Sequence, residues 1–521
     1  MARRRLPIGM QTFREVREQD CYYVDKTAHI GRLLAEGKHY FLSRPRRFGK
    51  SLFLDTLKEL FEGNEALFQG LHIHDGWEWS VRHPVVRLDF AGGSFKEPDH
   101  LHEDVMLQLE DMEEQAGIAP RQVNAPARFR RLLQALHRTT GQPVAVLIDE
   151  YDKPILDALE TPEVACANRD FLRGLYGMIK SSDAHVHFTF VTGVSKFTKV
   201  SLFSDLNNLT DITLDPVFSS ICGYTEEDLD RVFAPVLAGM DRQRIRDWYN
   251  GYGWLGGEKV YNPFDVLLLL RRRKFAAHWF ETGTTAFLVK TLFERRVASV
   301  SLDGMVGTEE LLSTFDVGNI ATEALLFQTG YLTITGEEEM GGLPLYRLGY
   351  PNREVRQSLN RVLLHQLVQD AEQQTANSMR LARLLAAHDC AGLKGLFHAF
   401  FASIPYQWYT NSHIADYEGY YASVFYSYFA ALGYEIVVEE SSSHGRLDMA
   451  VRADGDVYLF EFKVVEVAPP GSALAQLRER DYAAKYRGRG ESIHLIGVEF
   501  SRKTRNVTAF EVAGGRRRGA G

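Results

Sequence analysis

The chain has 521 residues, of which 45% are hydrophobic and 25% are charged, and its formal net charge is −8. This composition is typical of a globular protein and excludes a disordered or fibrous chain. At about 150 residues per domain, the length predicts roughly three domains. The net charge excludes a uniformly basic coat of the histone type, but nucleic acid could still bind to local basic patches.

Cysteine usage and the lack of a long apolar segment favour a cytoplasmic protein. The cysteines are too few and too scattered for a disulfide framework or a CxxC zinc site. They are Cys21, Cys166, Cys222 and Cys390. No apolar segment of signal-peptide length follows the basic start of the chain. The strongest apolar run, 266–270, is far shorter than the ~20 residues of a membrane-spanning helix, so no membrane partner is expected.

The N-terminal part of the chain alternates short apolar runs with helical patterns. Strands are predicted at 39–43, 85–90, 144–148 and 186–191. The apolar spacing of residues 50–62 predicts a helix that ends at Gly63. Short apolar strands separated by helices are typical of a buried parallel sheet, so this part is predicted to be an α/β domain.

The pattern changes twice further along the chain. Residues from about 225 to 400 mostly show helical spacing, with a strand-like piece at 331–334, and they predict a helical lid or winged-helix connector. The last 120 or so residues predict a second, smaller α/β domain. Its predicted elements are a helix at Glu418–Leu432, a strand at 435–440, a hairpin of 447–453 and 457–465, a helix at 473–486 and a strand at 492–500.

A candidate phosphate-binding loop lies between the first predicted strand and the next helix. Its nucleotide-binding residues are predicted to be Arg46, Arg47, Phe48, Gly49, Lys50 and Ser51. Backbone N–H groups at the helix start can hold phosphates, Lys50 can reach the β- and γ-oxygens, and Ser51 can ligate Mg²⁺. Arg44 stands where this motif has its first glycine, so the match is incomplete. Arg46 and Arg47 either contact phosphates or a partner, or belong to a solvated loop.

A second element supports the nucleotide site. The apolar strand 144–148 runs into Asp149 and Glu150, which is a Walker B arrangement. Asp149 is predicted to support Mg²⁺, and Glu150 to position or deprotonate the attacking water. An exposed acidic turn after a core strand is the alternative. Thr192, at the end of a further strand, is a candidate polar sensor. Together these residues predict ATP binding and favour ATP hydrolysis.

The C-terminal hairpin predicts a metal site. A two-residue type I′ turn at Asp454 and Gly455 would fix the strand register. Asp448 would then lie directly opposite Glu461, with Lys463 on the same face. Facing carboxylates repel each other unless a cation lies between them, so the pair is predicted to bind Mg²⁺ or Mn²⁺. The metal would activate a water and Lys463 would orient it or stabilise developing charge in phosphodiester hydrolysis. A solvent-facing salt-bridge ladder is the alternative.

Other side chains are predicted to support this site. Glu418 could supply a third metal-binding carboxylate, or it could be an ordinary helix-start glutamate. Gln476 and Tyr482, predicted on one helix, could support the site or a DNA end. A local basic surface for backbone contacts is predicted at Lys485, Arg487, Arg489, Arg502, Lys503 and Arg505. Nucleic acid is the expected partner, with DNA favoured over RNA.

Many stretches of the chain resemble the bacterial and archaeal AAA-ATPase-like family, whose members usually carry a C-terminal PD-(D/E)XK nuclease domain. The N-terminal stretches are LPIGMQTFREV, YYVDKT, YFLSRPRRFGKSLFLDTL, VLIDEYDKPI and TGVSKFTKVSLFSDLNNLTDITLD. The C-terminal ones are EGYYASVFYSYFAALGYEIVVEE, GRLDMAV, YLFEFKV and ALAQLRERDYAAKY. The resemblance covers nearly the whole chain, and the RPRRFGKS and GRxD…EFK blocks are quite specific.

The resemblance implies a fold class and roles for the candidate residues. The implied α/β architecture is a P-loop NTPase (AAA-like) domain at 1–220, a helical or winged-helix connector at 221–400 and a restriction-endonuclease-like domain at 401–521. Walker roles are implied for Lys50, Ser51, Asp149 and Glu150, and nuclease roles for Glu418, Asp448, Glu461 and Lys463. Leu447 stands where the PD dipeptide has proline, a variation that the superfamily tolerates. Arg44 is typical of the AAA-like family.

The sequence therefore predicts a prokaryotic ATP-binding enzyme in which an ATPase is coupled to a Mg²⁺- or Mn²⁺-dependent nuclease. The alternative is a non-catalytic ATP-dependent switch whose nuclease-like fold only binds nucleic acid or a partner. Because AAA-type sites often need an arginine from a neighbouring subunit, the resemblance also favours a homo-oligomer.

Overall fold

The computed structural model describes residues 4–197, 206, 208–280, 288, 291–292, 295, 297, 302–312, 320–368, 371–403, 418–442, 445–487, 491–504 and 506–514. For residues 366–368, 371, 403, 418–421, 439–442 and 445–447 it describes the backbone alone. The chain forms two compact units, one made of Met1–Gly283 and Met305–Asn352 and the other of Thr284–Gly304 and Arg353–Gly521. The three-domain division at 220 and 400 stays a prediction. In the described part of the chain, no helix is both long and apolar enough to cross a membrane.

The first unit is built on a five-stranded parallel sheet. Its strands are β1 (His39–Ser43), β2 (Val85–Asp89), β3 (Val144–Asp149), β4 (Val186–Gly193) and β5 (Thr210–Asp211). They lie in the order β2-β3-β4-β1-β5, and each pairing is parallel. Every residue of β1 and β3 is buried, which explains why these segments are mostly apolar. The predicted α/β fold and its four predicted strands are confirmed.

Helices surround this sheet and continue beyond it. In chain order they are α1 (Phe13–Glu18), α2 (Thr27–Glu36), α3 (Lys50–Phe61), α4 (His100–Gln115), α5 (Ala125–Thr140), α6 (Lys153–Leu156), α7 (Pro162–Ser181), α8 (Glu226–Leu237), α9 (Arg242–Tyr249), α10 (Pro263–Arg272), α11 (Glu309–Leu312) and α12 (Thr322–Gln328). Helix α3 packs against β3 and β4. Because α3 follows β1 directly, its first turn lies at the carboxyl edge of the parallel sheet, where ligands of α/β folds bind.

The first unit also contains a small antiparallel sheet that lies within the predicted helical connector. Its strands are β6 (Val306–Thr308), β7 (Thr333–Met340) and β8 (Leu343–Gly349), in the order β6-β8-β7. The strand-like piece predicted at 331–334 is the start of β7. The rest of β7, which is mostly exposed, and the strands β6 and β8 were not predicted.

The second unit is built on a mixed five-stranded sheet. Its strands are β9 (Glu435–Ser442), β10 (Gly445–Ala453), β11 (Asp456–Val464), β12 (Ser492–Ser501) and β13 (Asn506–Gly514), in the order β13-β12-β11-β10-β9. The β11–β12 pair is parallel and the other pairs are antiparallel. The helices are α13 (Arg353–Val368), α14 (Ala371–Ala386), α15 (Cys390–Ser403), α16 (Glu418–Leu432) and α17 (Ser472–Glu479).

The two faces of this sheet have different cores. On one face, Phe460 and Phe462 of β11 pack against Phe425 of α16, with ring centroids 5.9 and 5.1 Å apart. On the other face, Leu459 packs in a cluster with Leu477 of α17. Because side chains alternate along a strand, the odd-numbered residues of β11, which include Glu461 and Lys463, share the face of Leu459.

The predicted helix at 473–486 is wrong in one respect. Helix α17 ends at Glu479, and a separate 3₁₀ turn covers Tyr482–Tyr486. Asp481, between them, has a φ of 43°, a left-handed conformation that a right-handed helix does not continue through. Gln476 and Tyr482 therefore lie on different elements, in contrast to the prediction.

Candidate functional site

A cavity of about 370 Å³ lies in the first unit, and its lining includes residues 46–51, Glu150 and Lys153. Cavities of roughly this size hold small-molecule ligands. The lining joins the loop after β1 to the residues that follow β3, which the sequence separates by about a hundred positions. The structure thus brings together the two elements from which a nucleotide site is predicted.

The conformation of the loop places Lys50 at this cavity. Gly49 has a φ of 94°, a conformation that favours glycine, and α3 begins immediately after it. The Lys50 side chain is buried, and its Nζ donates hydrogen bonds to the carbonyls of Arg44 at 2.9 Å and Pro45 at 3.1 Å. These two hydrogen bonds link the start of α3 to the start of the loop. Because Lys50 lines the cavity, its ammonium group can bind an anion there.

Arg44 has a structural role in the core. Its guanidinium donates to the carbonyls of Ser43 at 2.8 Å, Thr213 at 2.9 Å and Phe218 at 3.1 Å. It also lies over the ring of Trp254, 4.2 Å from the centroid. The side chain is fully buried, and burial lowers the pKa of Arg44 to about 10. The residue that departs from the usual motif therefore ties the loop to the segment after β5.

Of the other loop residues, Arg47 is exposed at the cavity and Phe48 is buried in the core. Arg47 is exposed and its guanidinium lies 4.7 Å from the ring centroid of Phe264, which also lines the cavity. Phe48 is buried and packs edge-on against Tyr252, 4.8 Å away. The carbonyl of Arg46 accepts a hydrogen bond from the indole of Trp279. Aromatic side chains thus pack against the loop and bond to it, a feature that no sequence motif indicated.

Asp149 has a carboxylate oxygen suited to a metal-bound water. Oδ1 accepts the N–H of Glu150 at 3.0 Å, whereas Oδ2 is buried, has no hydrogen-bond partner among the described residues and lies 3.8 Å from an Arg87 nitrogen. Burial raises the pKa of Asp149, while the nearby Ser51 hydroxyl and the charge of Lys50 oppose that rise. A carboxylate oxygen that accepts no hydrogen bond, beside the Ser51 hydroxyl, fits the chemistry of a Mg²⁺ shell.

Glu150 and Thr192 differ in their relation to the cavity. Glu150 lines it and has a φ of 49°, a left-handed conformation that is unusual for a glutamate. The Thr192 hydroxyl is completely buried and donates to the carbonyl of Leu42 at 3.0 Å. Thr192 does not line the cavity, and its role as a sensor stays a prediction.

The hairpin of the second unit has the register that its turn predicted. Asp454 and Gly455 have φ values of 51° and 88°, as a type I′ turn requires. The ladder runs from the pair Ala453 and Asp456 to the pair Met449 and Phe460. One step further along the two strands, Asp448 and Glu461 are neighbours.

Asp448 also bonds to the partner strand. Its Oδ2 accepts the N–H of Phe462 at 2.8 Å. Its carboxylate is half-buried. Together with the larger effect of burial, its negative charge raises the pKa of Glu461. The two carboxyl groups therefore interact electrostatically, as the predicted metal site requires.

Glu461 is buried and only partly satisfied. Its Oε1 accepts from Lys463 Nζ at 3.0 Å and from the amide of Gln476. Its Oε2 is buried with no hydrogen-bond partner in the described part of the chain. Burial first, and then the charge of Asp448, raise the pKa of Glu461 to about 7. A divalent cation would satisfy Oε2 and remove the repulsion, so the residues present fit a metal.

The remaining predicted residues have different positions. Gln476 contacts Glu461, whereas Tyr482 is buried in the apolar cluster with Leu477. Glu418 is the first residue of α16, but its side chain lies outside the described part of the structure. Its role as a third metal ligand stays a prediction.

Two charged residues at these sites were missed. Lys153 lines the cavity and donates to the carbonyl of Gly93 at 2.6 Å. Glu499 is 2% exposed, and in the register of the parallel β11–β12 ladder it lies next to Lys463. A glutamate within the apolar run of β12 was the available signal, because a charged side chain at such a position needs a buried partner.

Comparisons with known proteins match the two segments of the chain in which these candidate sites lie. Residues 7–203 match the family model of predicted AAA-ATPases, and residues 416–510 match the PD-(D/E)XK nuclease superfamily. The chain is also similar to an uncharacterized protein in the vnfD 5′ region of Azotobacter chroococcum mcd 1. The two are 57% identical over 513 residues, which cover 98% of this chain and 99% of the relative. The two matched segments contain the loop with Lys50 and the Asp448–Glu461 pair, respectively.

Proposed function

Because the chain belongs to the family of predicted AAA-ATPases with a C-terminal PD-(D/E)XK nuclease superfamily domain, we propose that it is an ATPase-coupled nuclease. In this proposal the first unit binds and hydrolyses ATP, and the second unit hydrolyses phosphodiester bonds of nucleic acid. Both reactions would use Mg²⁺ or Mn²⁺. The observation that carries the proposal is the buried Glu461, which has an unsatisfied oxygen beside Asp448 and Lys463.

At the ATP site, each residue has a role that its position supports. Lys50 would replace its hydrogen bonds to two loop carbonyls with hydrogen bonds to phosphate oxygens, because a charged acceptor binds an ammonium more strongly than a neutral carbonyl does. Ser51 and Asp149 would hold Mg²⁺, which neutralises charge on the phosphates. Glu150, at the cavity wall, would orient the attacking water or take its proton. Arg46 and Arg47 would contribute positive charge near the phosphates.

At the nuclease site, Asp448 and Glu461 would hold the metal. The ion would supply a water of lowered pKa and charge for the phosphate. Lys463 donates to Glu461 Oε1, so its ammonium lies beside the metal ligand and could orient the nucleophile or stabilise the developing negative charge. Gln476 holds the same oxygen of Glu461 and would fix the direction of the carboxylate. Glu418 would be a third ligand.

A nucleic-acid backbone would bind near this site through basic side chains. Lys485, Arg487 and Lys503 are exposed, and Arg502 is partly exposed. Arg487 pairs with Asp481, which neutralises part of its charge. Arg489 and Arg505 lie outside the described residues. We favour DNA over RNA as the substrate.

Purified protein incubated with Mn²⁺ or Mg²⁺ and a panel of DNA and RNA substrates, with and without ATP, tests the proposal. Metal-dependent cleavage of at least one substrate, at a rate that ATP changes, is expected. Calorimetry on the same preparation should show ATP binding. ATP binding without cleavage of any substrate by either metal would instead favour a non-catalytic switch that binds nucleic acid.

A further inference from the structure

A second group of metal-binding side chains lies at the other end of β11. Asp456 is the first residue of β11, whereas Glu461 is further along the strand, about 16 Å away at the usual rise per residue. The Asp456 Oδ2 atom contacts Nδ1 of His388 and lies 2.8 Å from Nε2 of His494. One ligand atom from each residue lies within 4.8 Å of the other two. This cluster is not part of either site described above.

The three residues come from separate elements of the second unit. His388 lies in the turn between α14 and α15, Asp456 begins β11, and His494 lies on β12. Asp456 is 5% exposed and His494 is 7% exposed, whereas the His388 side chain is 52% exposed. A buried carboxylate and a buried imidazole thus face a third ligand that is open to solvent. Such an arrangement gives an ion an entry path and leaves room for a water ligand.

The distances suit a zinc-type ion. Bonds of about 2.0–2.2 Å from a tetrahedral ion to nitrogen and oxygen place neighbouring ligand atoms about 3.3 Å apart. The two contacts of Asp456 Oδ2 would lengthen to reach that separation, and the three ligand atoms, all within 4.8 Å of one another, would move to a common distance from the ion. Two imidazoles and one carboxylate prefer zinc and its transition-metal neighbours, whereas Mg²⁺ prefers an all-oxygen shell.

The environment of His494 orients its ring for this role. Nδ1 of His494 lies 3.5 Å from the buried thiol sulfur of Cys390, on the side of the ring away from Asp456. The ring also stacks on Tyr458, with centroids 4.8 Å apart. If Nδ1–H donates to the sulfur, Nε2 presents its lone pair towards Asp456. An outer hydrogen bond that fixes the tautomer of a ligating histidine is a common feature of metal sites.

The geometry points to a divalent transition-metal site formed by His388, Asp456 and His494, with Cys390 as the outer partner of His494. The ion, which we take to be zinc, clamps the α14–α15 turn to the start of β11 and to β12. The inference does not depend on the proposed nuclease, because the two sites share no residue.

Zinc binding to the full chain tests this inference. Metal-stripped protein would be titrated with Zn²⁺ against a chromophoric chelator, in excess Mg²⁺ so that the oxygen-rich sites are occupied. We expect one tight zinc per chain, and at least a tenfold loss of affinity in His388→Ala, Asp456→Asn and His494→Ala. His398→Ala is the matched control, because this exposed histidine on α15 lies outside the cluster. Asp448→Asn should keep the zinc.

His388→Ala decides the case if the buried variants fail to fold, since His388 lies at the surface in a turn. Zinc should raise the melting temperature of the wild type and of His398→Ala, but not that of His388→Ala. Equal zinc affinity and an equal melting shift in His388→Ala and in the wild type would overturn the site. In that case Asp456 would simply accept hydrogen bonds from two histidines.

Discussion

At the scale of single residues, the clearest signals are buried polar groups that protein atoms satisfy only in part. Asp149 and Glu461 each have a buried carboxylate oxygen without a hydrogen-bond partner among the described residues, and that of Asp149 lies 3.8 Å from an Arg87 nitrogen. Leaving such a group unsatisfied costs about 1–3 kcal/mol, so it indicates an absent ligand more directly than an exposed acidic residue does. Both oxygens belong to carboxylates for which the sequence predicted a metal role.

Glu461→Gln should change how metal-free stability depends on pH. The pKa of Glu461 is raised from 4.5 to about 7 in the folded protein, so its protonated form stabilises the fold. That contribution is fully present below about pH 4.5 and is lost as the pH rises through about 7. The variant should therefore be more stable than wild type by about 1–3 kcal/mol near pH 8, and the difference should shrink towards about pH 5.

Urea unfolding in EDTA at these two pH values measures the effect. Asp454→Asn is the control, because Asp454 is exposed at the turn of the same hairpin. If the stability difference between Glu461→Gln and wild type did not vary with pH, the pKa of Glu461 would not be raised in the folded protein.

Arg44→Gly, which restores the usual glycine of the loop, should destabilise the first unit. The change removes three hydrogen bonds to carbonyls and the contact with Trp254. Unfolding free energy should fall by roughly 3 kcal/mol or more, because charged hydrogen bonds are lost and a cavity opens. Tryptophan fluorescence during urea unfolding follows the loss directly.

Arg47→Gly is the matched control for that substitution. Arg47 is exposed and has a φ of 69°, a conformation that glycine adopts without strain. Its stability should stay close to wild type. If Arg44→Gly were as stable as Arg47→Gly, the buried guanidinium would not hold the loop.

At the scale of elements, local rules predicted those parts of the sites that depend on neighbouring residues in sequence. The Asp454–Gly455 turn set the register of β10 and β11, and so placed Asp448 beside Glu461. The apolar runs of β1 and β3 located the loop with Lys50 and the Asp149–Glu150 pair. Turn chemistry and strand periodicity are local properties, and here they were sufficient.

Other parts depend on distant residues and could not be predicted in this way. The burial of Arg44 needs carbonyls and an aromatic ring from segments more than 160 residues away. The left-handed Asp481, which separates Tyr482 from Gln476, follows from no simple pattern. The cluster of His388, Asp456 and His494 forms only when α14, β11 and β12 meet.

Helix α17 depends on a close approach to β12 at Gly497. A Cβ added at Gly497 would lie well inside van der Waals contact of the backbone nitrogen of Leu474. Gly497 also pairs with Glu461 in the β11–β12 ladder. Gly497→Ala should therefore push α17 away, move Gln476 from Glu461, and lower stability by about 1–3 kcal/mol. Cleavage should fall together with stability.

Gly395→Ala, on helix α15, is the matched control. An added Cβ there meets only ordinary contacts, so the change should be neutral or should stabilise the helix by about 0.5–1 kcal/mol. Thermal melting and a cleavage assay compare the two variants. Wild-type melting and cleavage in Gly497→Ala would show that the contact between α17 and β12 is not tight.

At the scale of the whole molecule, the proposed function requires that the two units influence each other. Glu150→Gln should slow ATP hydrolysis by about a hundredfold or more, because the variant would lose the general base that we propose while keeping ATP binding. The protein would then stay in its ATP-bound state, and the rate of nucleic-acid cleavage should differ from wild type at saturating ATP. Cleavage and ATPase rates are measured in the same samples.

Glu163→Gln, at an exposed position of α7, controls for the loss of one negative charge. It should match wild type in both rates. An identical cleavage rate in Glu150→Gln, Glu163→Gln and wild type at saturating ATP would mean that the two activities are fused in one chain without coupling.

Metal-dependent cleavage by Asp448→Asn tests whether Asp448 and Glu461 hold the metal ion used to cleave nucleic acid. Asp454→Asn places the same change at the exposed turn of the same hairpin, where asparagine is also favoured. We predict that Asp448→Asn folds at least as stably as wild type without metal, yet loses cleavage by about a hundredfold or more, whereas Asp454→Asn cleaves normally. Wild-type cleavage by Asp448→Asn at every metal concentration would contradict the nuclease proposal.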